Sequence, residues 1–433
     1  MSYFIPDEEC LARGELERLQ LTKFRALAAQ LPLNAFYSAK FEASGIDPSR
    51  IDDFDTFRQL PFTTKSEITA DQEAHAPYGT NLSFPLSTYT RIHRTSGTTG
   101  THLRWLDTPQ SWAWIMRCWG IIYAAAGIAL QDRIFFPFSF GPFIGFWAAF
   151  ESAAARGNFV IPGGGMTTST RLEFLIAHGA TVVCCTPTYA LRMAQCAAQN
   201  GVDLAASPVR ALIVAGEPGG SIPEVRKQIE SAWGARVFDH TGMTEVGSLG
   251  IECVEAPGST HLIESECVVE VIDPQSTEAV PVGEFGELVL TTLGRTGSPL
   301  IRYRTGDRVR LLHEPCACGR SSCRMDQGIL GRLDDMLIIR GNNVYPAAIE
   351  NIVRGFRDVV EYRVIVRGRG GMNELQIEIE LGAGACDSAQ VTEAALAQAL
   401  QDTLLFRPIV RSVAPDTLPR FELKANRIVQ EQN

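Results

Sequence analysis

RIFFPFSFGPFIGFWAAFESAAARGNFVIP (residues 133–162) opens a stretch in which short apolar runs alternate with helix-like segments. RIFFPF (133–138) leads into a helical pattern ending near Ala155, and NFVIP (158–162) follows. A second helical pattern over 171–178 precedes TVVCC (181–185). Pro187 suits a first helical turn, where no backbone N–H is needed, and that helix runs towards Asn200. ALIVA (211–215), a helix over 223–233 and RVFDH (236–240) complete the series. Continuously apolar strands separated by helices predict a largely parallel sheet covered on both faces. Ligands in such sheets bind beyond the carboxyl ends of the strands. The loops 216–220 and 241–247 fall at such ends.

Further along, helices drop out. CVVEVID (267–273), GEFGELVLTTL (283–293) and DRVRLL (307–312) predict a smaller antiparallel sheet or barrel packed on the first part. The last hundred residues change pattern again. A helix from about Pro346, EYRVIVR (361–367), ELQIEIEL (374–381), a long helix through 394–405 and IVRSV (409–413) predict a small α+β lid. GRGG (368–371) reads as a hairpin turn within it. The expected fold is therefore α/β, with a large N-terminal domain over 1–333 and a C-terminal lid domain over 334–433.

Bulk properties narrow the partners. At 433 residues the chain suggests more than one core. A net charge of -10 with no basic stripe argues against a nucleic-acid partner. Residues 134–150 carry no charge, and eight of them are Phe or Trp. That run is shorter than the roughly 20 residues of a membrane span and is broken by Pro137, Gly141, Pro142 and Gly145. It predicts a buried strand–turn–helix, not a span. The start, MSYFIPDEECLARGELERL, has early acids and no apolar core, so no secretory or transit signal is expected. Eleven cysteines without such a signal predict reduced thiols and a cytoplasmic protein. A homodimer is the candidate assembly.

The motifs that carry chemistry start with Thr95-Ser96-Gly97-Thr98-Thr99-Gly100. Two glycines let backbone approach an anion, and the hydroxyls and N–H groups can cradle phosphate oxygens. The closing Gly-Lys-[Ser/Thr] of the common phosphate loop is missing. Alone, such a hexapeptide is an ordinary turn. Its company changes the weight: Asp239-His240-Thr241-Gly242-Met243-Thr244-Glu245, then Tyr303-Arg304-Thr305-Gly306-Asp307, then GRLDDMLIIRG (331–341), and LPRFELK (418–424). In this order the set resembles the acyl-adenylate-forming superfamily of acyl-CoA ligases, luciferases and peptide-synthetase adenylation domains. LPFTTK (60–65), RIHRTSGTTG (91–100), CCTPTYA (184–190) and DDMLIIRGNNVYP (334–346) resemble its phenylacetate–CoA ligase branch.

The resemblance implies ATP-dependent activation of a carboxylic acid, aromatic here, to an acyl-adenylate, and acyl transfer to CoA. It assigns Ser96, Gly97, Thr98, Thr99 and Gly100 to the β- and γ-phosphates and Glu245 to Mg²⁺, whose charge offsets the phosphate oxygens. Asp307 and Arg332 would hold the ribose, since a carboxylate accepts from both hydroxyls. Gly216, Glu217 and Pro218 would form part of the adenine wall, with Asp239, His240, Thr241 and Thr244 completing the nucleotide site. Lys424, on the lid, would set an ammonium against the α-phosphate. Asp334 would be the hinge about which the lid turns after adenylation to admit the thiol. Phe138, Phe140, Gly141, Tyr189, Gly242 and Met243 would line the acyl pocket, where aromatic walls favour a flat aryl or arylacetic acid. Two other readings stand beside this one: transfer to a carrier-protein thiol or an amine, and a non-catalytic nucleotide-binding relative.

Three departures mark this chain. Thr241 replaces a Tyr that stacks on adenine, which either weakens nucleotide binding or leaves His240 to supply the ring. Leu423 replaces a Gly before the lysine. Thr101-His102 replaces Lys-Pro after Gly100, with Arg104 as the candidate substitute cation. Separately, Cys316 and Cys318 with Cys253 and His261 make a Cys₃His set suited to structural zinc, as seen in some relatives, with Cys323 as the spare. Without metal the same residues would be a turn of reduced thiols.

Overall fold

Short apolar runs form the parallel strands Arg133–Phe136, Phe159–Pro162, Val182–Cys185 and Ala211–Val214, and the fifth, Arg236–Met243, is apolar at Val237 and Phe238 and turns polar from Asp239. The computed structural model describes residues 2–95, 102–339, 342–369, 372–382, 384–385, 388–421 and 425–431. Helices Trp147–Arg156, Thr168–Ala177, Pro187–Gln199 and Pro223–Trp233 lie between successive strands. Their ends follow local chemistry. The Thr167 and Thr186 side chains accept the N–H groups of Thr170 and Tyr189, and prolines open the helices at 187 and 223. Gly157 and Gly234 end two of them at φ +94° and +59°, where an L side chain is strained. The helix expected soon after residue 138 starts only at Trp147, because Pro137 and Pro142 interrupt it.

The sheet has a seam. Arg236–Met243 pairs in parallel with Ala211–Val214 through Asp239, and antiparallel with Gly247–Glu252 from His240 onward. Through that strand the antiparallel set continues the parallel one. Among the described residues the two sets make one 12-stranded sheet that includes Ser259–Leu262, Arg324–Asp326, Tyr303–Leu312, Phe285–Thr292 and Cys267–Ile272. Gly331–Arg332 pairs with Tyr303–Leu312, placing Arg332 opposite Asp307.

Burial follows the two-residue period. Phe136, Val182, Cys184, Ala211 and Ile213 enter one core with Trp119 and Tyr303. Their neighbours Phe135, Val183, Cys185, Leu212 and Val214 enter a second, on the other face, with Tyr189 and Trp233. Each large apolar side chain so buried contributes about 1.5–3 kcal/mol.

From Leu337 onward the chain packs a core of its own, with Ile349, Val364, Ile377 and Leu396 at its centre. Its sheet runs Ile409–Val413, Met372–Leu381, Val359–Arg369, Ile428–Glu431, flanked by helices Pro346–Arg354 and Ala389–Leu404. The strand Ile428–Glu431 is not expected from sequence; it is mostly exposed, so it lacks an apolar signal. Arg369 pairs with Met372 where a turn was read, while Gly370 and Gly371 lie outside the described residues. Among the described residues no helix is long and apolar enough to cross a membrane.

Candidate active site

The seam at Asp239–His240 opens onto a cavity of about 550 Å³. Gly216, Glu217 and Pro218 line it from the loop after Ala211–Val214, and Asp239, His240, Thr241, Gly242 and Met243 from the seam strand. Asp307 and Arg332 face it from the paired strands. These predicted residues are therefore brought together. The loop 216–220 lies flat on the start of helix Pro187–Gln199: Gly216 sits at φ +98°, and a Cβ on Gly219 would overlap Pro187.

Asp307 is the most telling group. It is buried, its Oδ2 has no hydrogen-bond partner among the described residues, and its Oδ1 lies 3.7 Å from Arg332 Nη1. Burial pushes its carboxyl up to about 7, against the pull of Arg332. Arg332 also grips Asp334 through two bonds of 2.8 and 3.1 Å. An unpartnered buried carboxylate oxygen beside a guanidinium is suited to accept hydroxyl donors.

Other predicted residues differ in place or contact. Asp239 takes a hydrogen bond from the Ser221 hydroxyl, and burial pushes it up to about 7. His240 is committed to the protein: its Nδ1 lies 2.6 Å from the Gly250 carbonyl, and its ring centroid is 4.5 Å from that of Trp119. Burial lowers its pKa to about 4, so the ring is neutral at pH 7. The expectation that it replaces a free adenine-stacking ring is corrected accordingly. Glu217 borders the cavity, but its carboxylate accepts from Thr188 N–H at 2.9 Å and Ala425 N–H at 2.7 Å. Burial raises its pKa, while those N–H groups pull the other way.

Thr244 and Glu245 do not line this cavity. Glu245 is buried with Lys65 Nζ 3.7 Å away. The carbonyls of both residues accept from Arg295 Nη1 at 2.6 and 2.9 Å, and Arg295 is held by Asp107 through bonds of 2.7 and 2.6 Å. Both partners of that pair are fully buried. Sequence reasoning missed this support, since nothing in sequence joins residues 188 positions apart. It also left Arg308, Phe285 and Tyr345 unassigned, although they line the cavity; Arg308 lies over both rings, at 4.2 and 5.3 Å.

Phe138 and Phe140 pack with ring centroids 5.4 Å apart, and Phe140 also meets Trp147 at 4.6 Å. The Gly141 carbonyl accepts from Trp147 Nε1 at 3.0 Å. This half-buried aromatic group shares a core cluster with Met243. Tyr189 does not join it. It is buried in the core of the opposite sheet face, its hydroxyl accepting from Arg171 at 2.7 Å, so its placement in the acyl pocket is corrected. Arg104 donates to the Pro77 carbonyl at 3.1 Å on an exposed surface. Ser96, Gly97, Thr98, Thr99, Gly100 and Lys424 lie outside the described residues, as do Thr101 and Leu423.

Apart from the cavity, Cys253, His261, Cys316 and Cys318 are buried with all four ligand atoms within 4.8 Å of one another. The sulfurs of Cys253 and Cys316 are 3.7 Å apart, and Cys318 Sγ is 3.4 Å from His261 Nε2. A zinc tetrahedron has S–S and S–N edges of about 3.8 and 3.5 Å. Ser322 Oγ, 3.0 Å from His261 Nδ1, orients the ring from behind. Cys323 is buried beside Glu264 and outside the set, so it is not a ligand candidate.

The model of the family described as AMP-binding enzyme matches residues 65–294, and that of the AMP-binding enzyme C-terminal domain matches 341–432. The chain is 32% identical to a phenylacetate-coenzyme A ligase of Thermus thermophilus over 380 residues, 87% of this chain and 84% of that protein. It is 31% identical to a phenylacetate-coenzyme A ligase of Escherichia coli over 381 residues, covering 86% and 84%. The chain belongs to the AMP-binding enzyme family, in its phenylacetate–CoA ligase-like branch. Among solved structures, a 2-hydroxyisobutyryl-CoA ligase holding its adenylate in the postadenylation state matches with TM-score 0.93 and 26% identity. That match covers 99% of this chain and 92% of the other. The same ligase in its thioesterification state, with adenylate and CoA, gives 0.74 at 28% identity over 98% and 92%. The whole chain therefore superposes more closely on the first of those structures than on the second.

Proposed function

We propose that this enzyme joins a small aromatic or arylacetic acid to CoA. The chain is an AMP-forming acid–CoA ligase: it adenylates a carboxylic acid and transfers the acyl group to the CoA thiol. In the first step a carboxylate oxygen attacks the α-phosphorus of ATP and pyrophosphate leaves. In the second the thiol sulfur attacks the acyl carbon, the bond to AMP breaks, and the thiol proton passes to solvent. The observation that carries the nucleotide assignment is Asp307 Oδ2, which has no partner among the described residues and lies in the cavity beside Arg332, suited to accept ribose hydroxyls. Ser96 to Gly100 and Glu245 take the phosphate and Mg²⁺ roles, and Lys424 the α-phosphate. The aromatic acid is supported by the Phe138–Phe140–Trp147 group and by the phenylacetate ligases among the relatives. Pyrophosphate exchange with a panel of aryl, arylacetic and short aliphatic acids, then CoA-dependent release of AMP, tests this. Turnover confined to the aliphatic acids would overturn it.

We assign structural Zn²⁺ to Cys253, His261, Cys316 and Cys318, whose spacings suit a tetrahedral ion. Protein purified without added metal should hold about one zinc per chain by elemental analysis. A metal-free protein of equal stability would refute the assignment. The domain boundary is placed at 333/334 with Asp334 as hinge. Its support is that Leu333 N–H still bonds to Gly306, whereas Ile338 already accepts from Asn373. The ten cysteines among the described residues are free thiols, which suits a cytoplasmic setting, and a homodimer is testable by light scattering.

A further inference from the structure

On the two-step reading Lys424 must arrive at the α-phosphate for one step and leave for the next, so something must hold the adjoining chain in place during the first. The contact beside it is specific. Glu217 spans two bodies with one carboxylate: Oε1 accepts from Thr188 N–H at 2.9 Å, in the first turn of helix Pro187–Gln199, and Oε2 accepts from Ala425 N–H at 2.7 Å. Ala425 directly follows Lys424 in the chain. Three further features converge there. The loop bearing Glu217 is pressed against Pro187 by Gly219, whose position admits no Cβ. A helix N-terminus favours a carboxylate. Arg427, anchored in the C-terminal part by Glu361 at 2.7 Å, reaches Thr188 Oγ1 at 3.5 Å. The whole chain agrees better with the postadenylation form of the solved ligase than with its thioesterification form, which supports reading this contact as one made before the thiol enters.

We propose that Glu217 is a positioning residue that fastens the backbone beside Lys424 to the start of helix Pro187–Gln199 for adenylation and lets go when the lid turns. This rests on the two-step reading above. A carboxylate is needed because two N–H groups must be accepted by two oxygens; glutamine offers one acceptor and asparagine falls short of the span.

Two measurements on the full-length protein test it. By hydrogen exchange without substrates, Glu217→Ala should speed exchange of the Ala425 amide at least about tenfold, leaving the amides of strand Met372–Leu381 unchanged. Glu217→Gln keeps the shape and serves as the fold-preserving variant. It should lower pyrophosphate exchange at least about tenfold, with thioester formation from pre-made acyl-adenylate within about twofold of wild type. Unchanged Ala425 exchange in Glu217→Ala overturns the contact. Equal loss of both half-reactions in Glu217→Gln overturns the positioning role, because a merely structural residue would lower both. Exchange is read without any acid, so a wrong substrate class leaves that arm intact and counts only against the functional reading.

Discussion

Asp307 carries a carboxylate oxygen that no described residue satisfies, and burial pushes its carboxyl up to about 7. The folded state therefore favours the protonated acid. Ionising it costs stability progressively as pH rises from the ordinary value of about 3.9 towards 7, after which the cost is constant. Accepting both ribose hydroxyls needs the ionised form, so the KM for ATP should fall as pH rises from about 6 to about 8. Asp307→Asn should raise that KM on the order of tenfold and flatten the slope. An unchanged slope in the variant would assign the titration elsewhere, Asp239 being the other acid raised to about 7. Arg295 makes a second residue-scale case. Fully buried and bonded to Asp107, Thr244 and Glu245, it would leave an unpaired carboxylate behind if removed. Arg295→Met should cost about 3–5 kcal/mol by denaturant unfolding.

At the scale of elements, the metal set joins strands with a loop: Cys253 follows Gly247–Glu252, His261 lies in Ser259–Leu262, and Cys316 and Cys318 sit between Tyr303–Leu312 and Arg324–Asp326. The N-terminal arm rests on the same knuckle. Tyr3 donates to the Cys318 carbonyl at 2.7 Å, and Arg320 binds Glu9 at 2.8 Å and the Ser2 carbonyl at 2.8 Å. Cys316→Ser should abolish zinc retention and make the first ten residues the earliest site of limited proteolysis, with activity lost more slowly. Cleavage at the wild-type rate would show that the knuckle does not anchor the arm. The knuckle was legible in sequence as two cysteines in a turn. The candidate partners Cys253 and His261 were named as well, but it is the pairing of Gly247–Glu252 with Ser259–Leu262, and of that strand with Arg324–Asp326, that brings them to the turn.

For the whole molecule, the predicted event is a change of lid position. Leu333 is still stitched to Gly306, while Leu337 belongs to the C-terminal core, which supports the proposed turning point between them. Proline at 334 fixes φ near −65° and also removes the fork between Arg332 and Asp334. Asp334→Pro should separate the two half-reactions, trapping whichever lid position it tolerates. Lys424→Ala should lower adenylation on the order of 10²-fold or more, with thioester formation from pre-made adenylate far less affected. Both rates unchanged in Asp334→Pro would move the hinge elsewhere.

The parallel strands, the four helices between them and the self-contained C-terminal part were readable because each writes a local signal: continuous apolar runs, threonine caps, prolines at helix starts, glycines past their ends. The order of motifs was enough to name the superfamily and to single out Asp307 and Arg332, which the structure brings together at the cavity. Contacts across long sequence distances were not readable. That Tyr189 belongs to the opposite core, that the His240 ring is taken up by Trp119 and Gly250, and that Glu217 reaches Ala425 depend on which face each strand presents and where the lid stands. Local preferences write secondary structure into the chain, but side-chain partnerships are settled by packing, which only the tertiary structure decides.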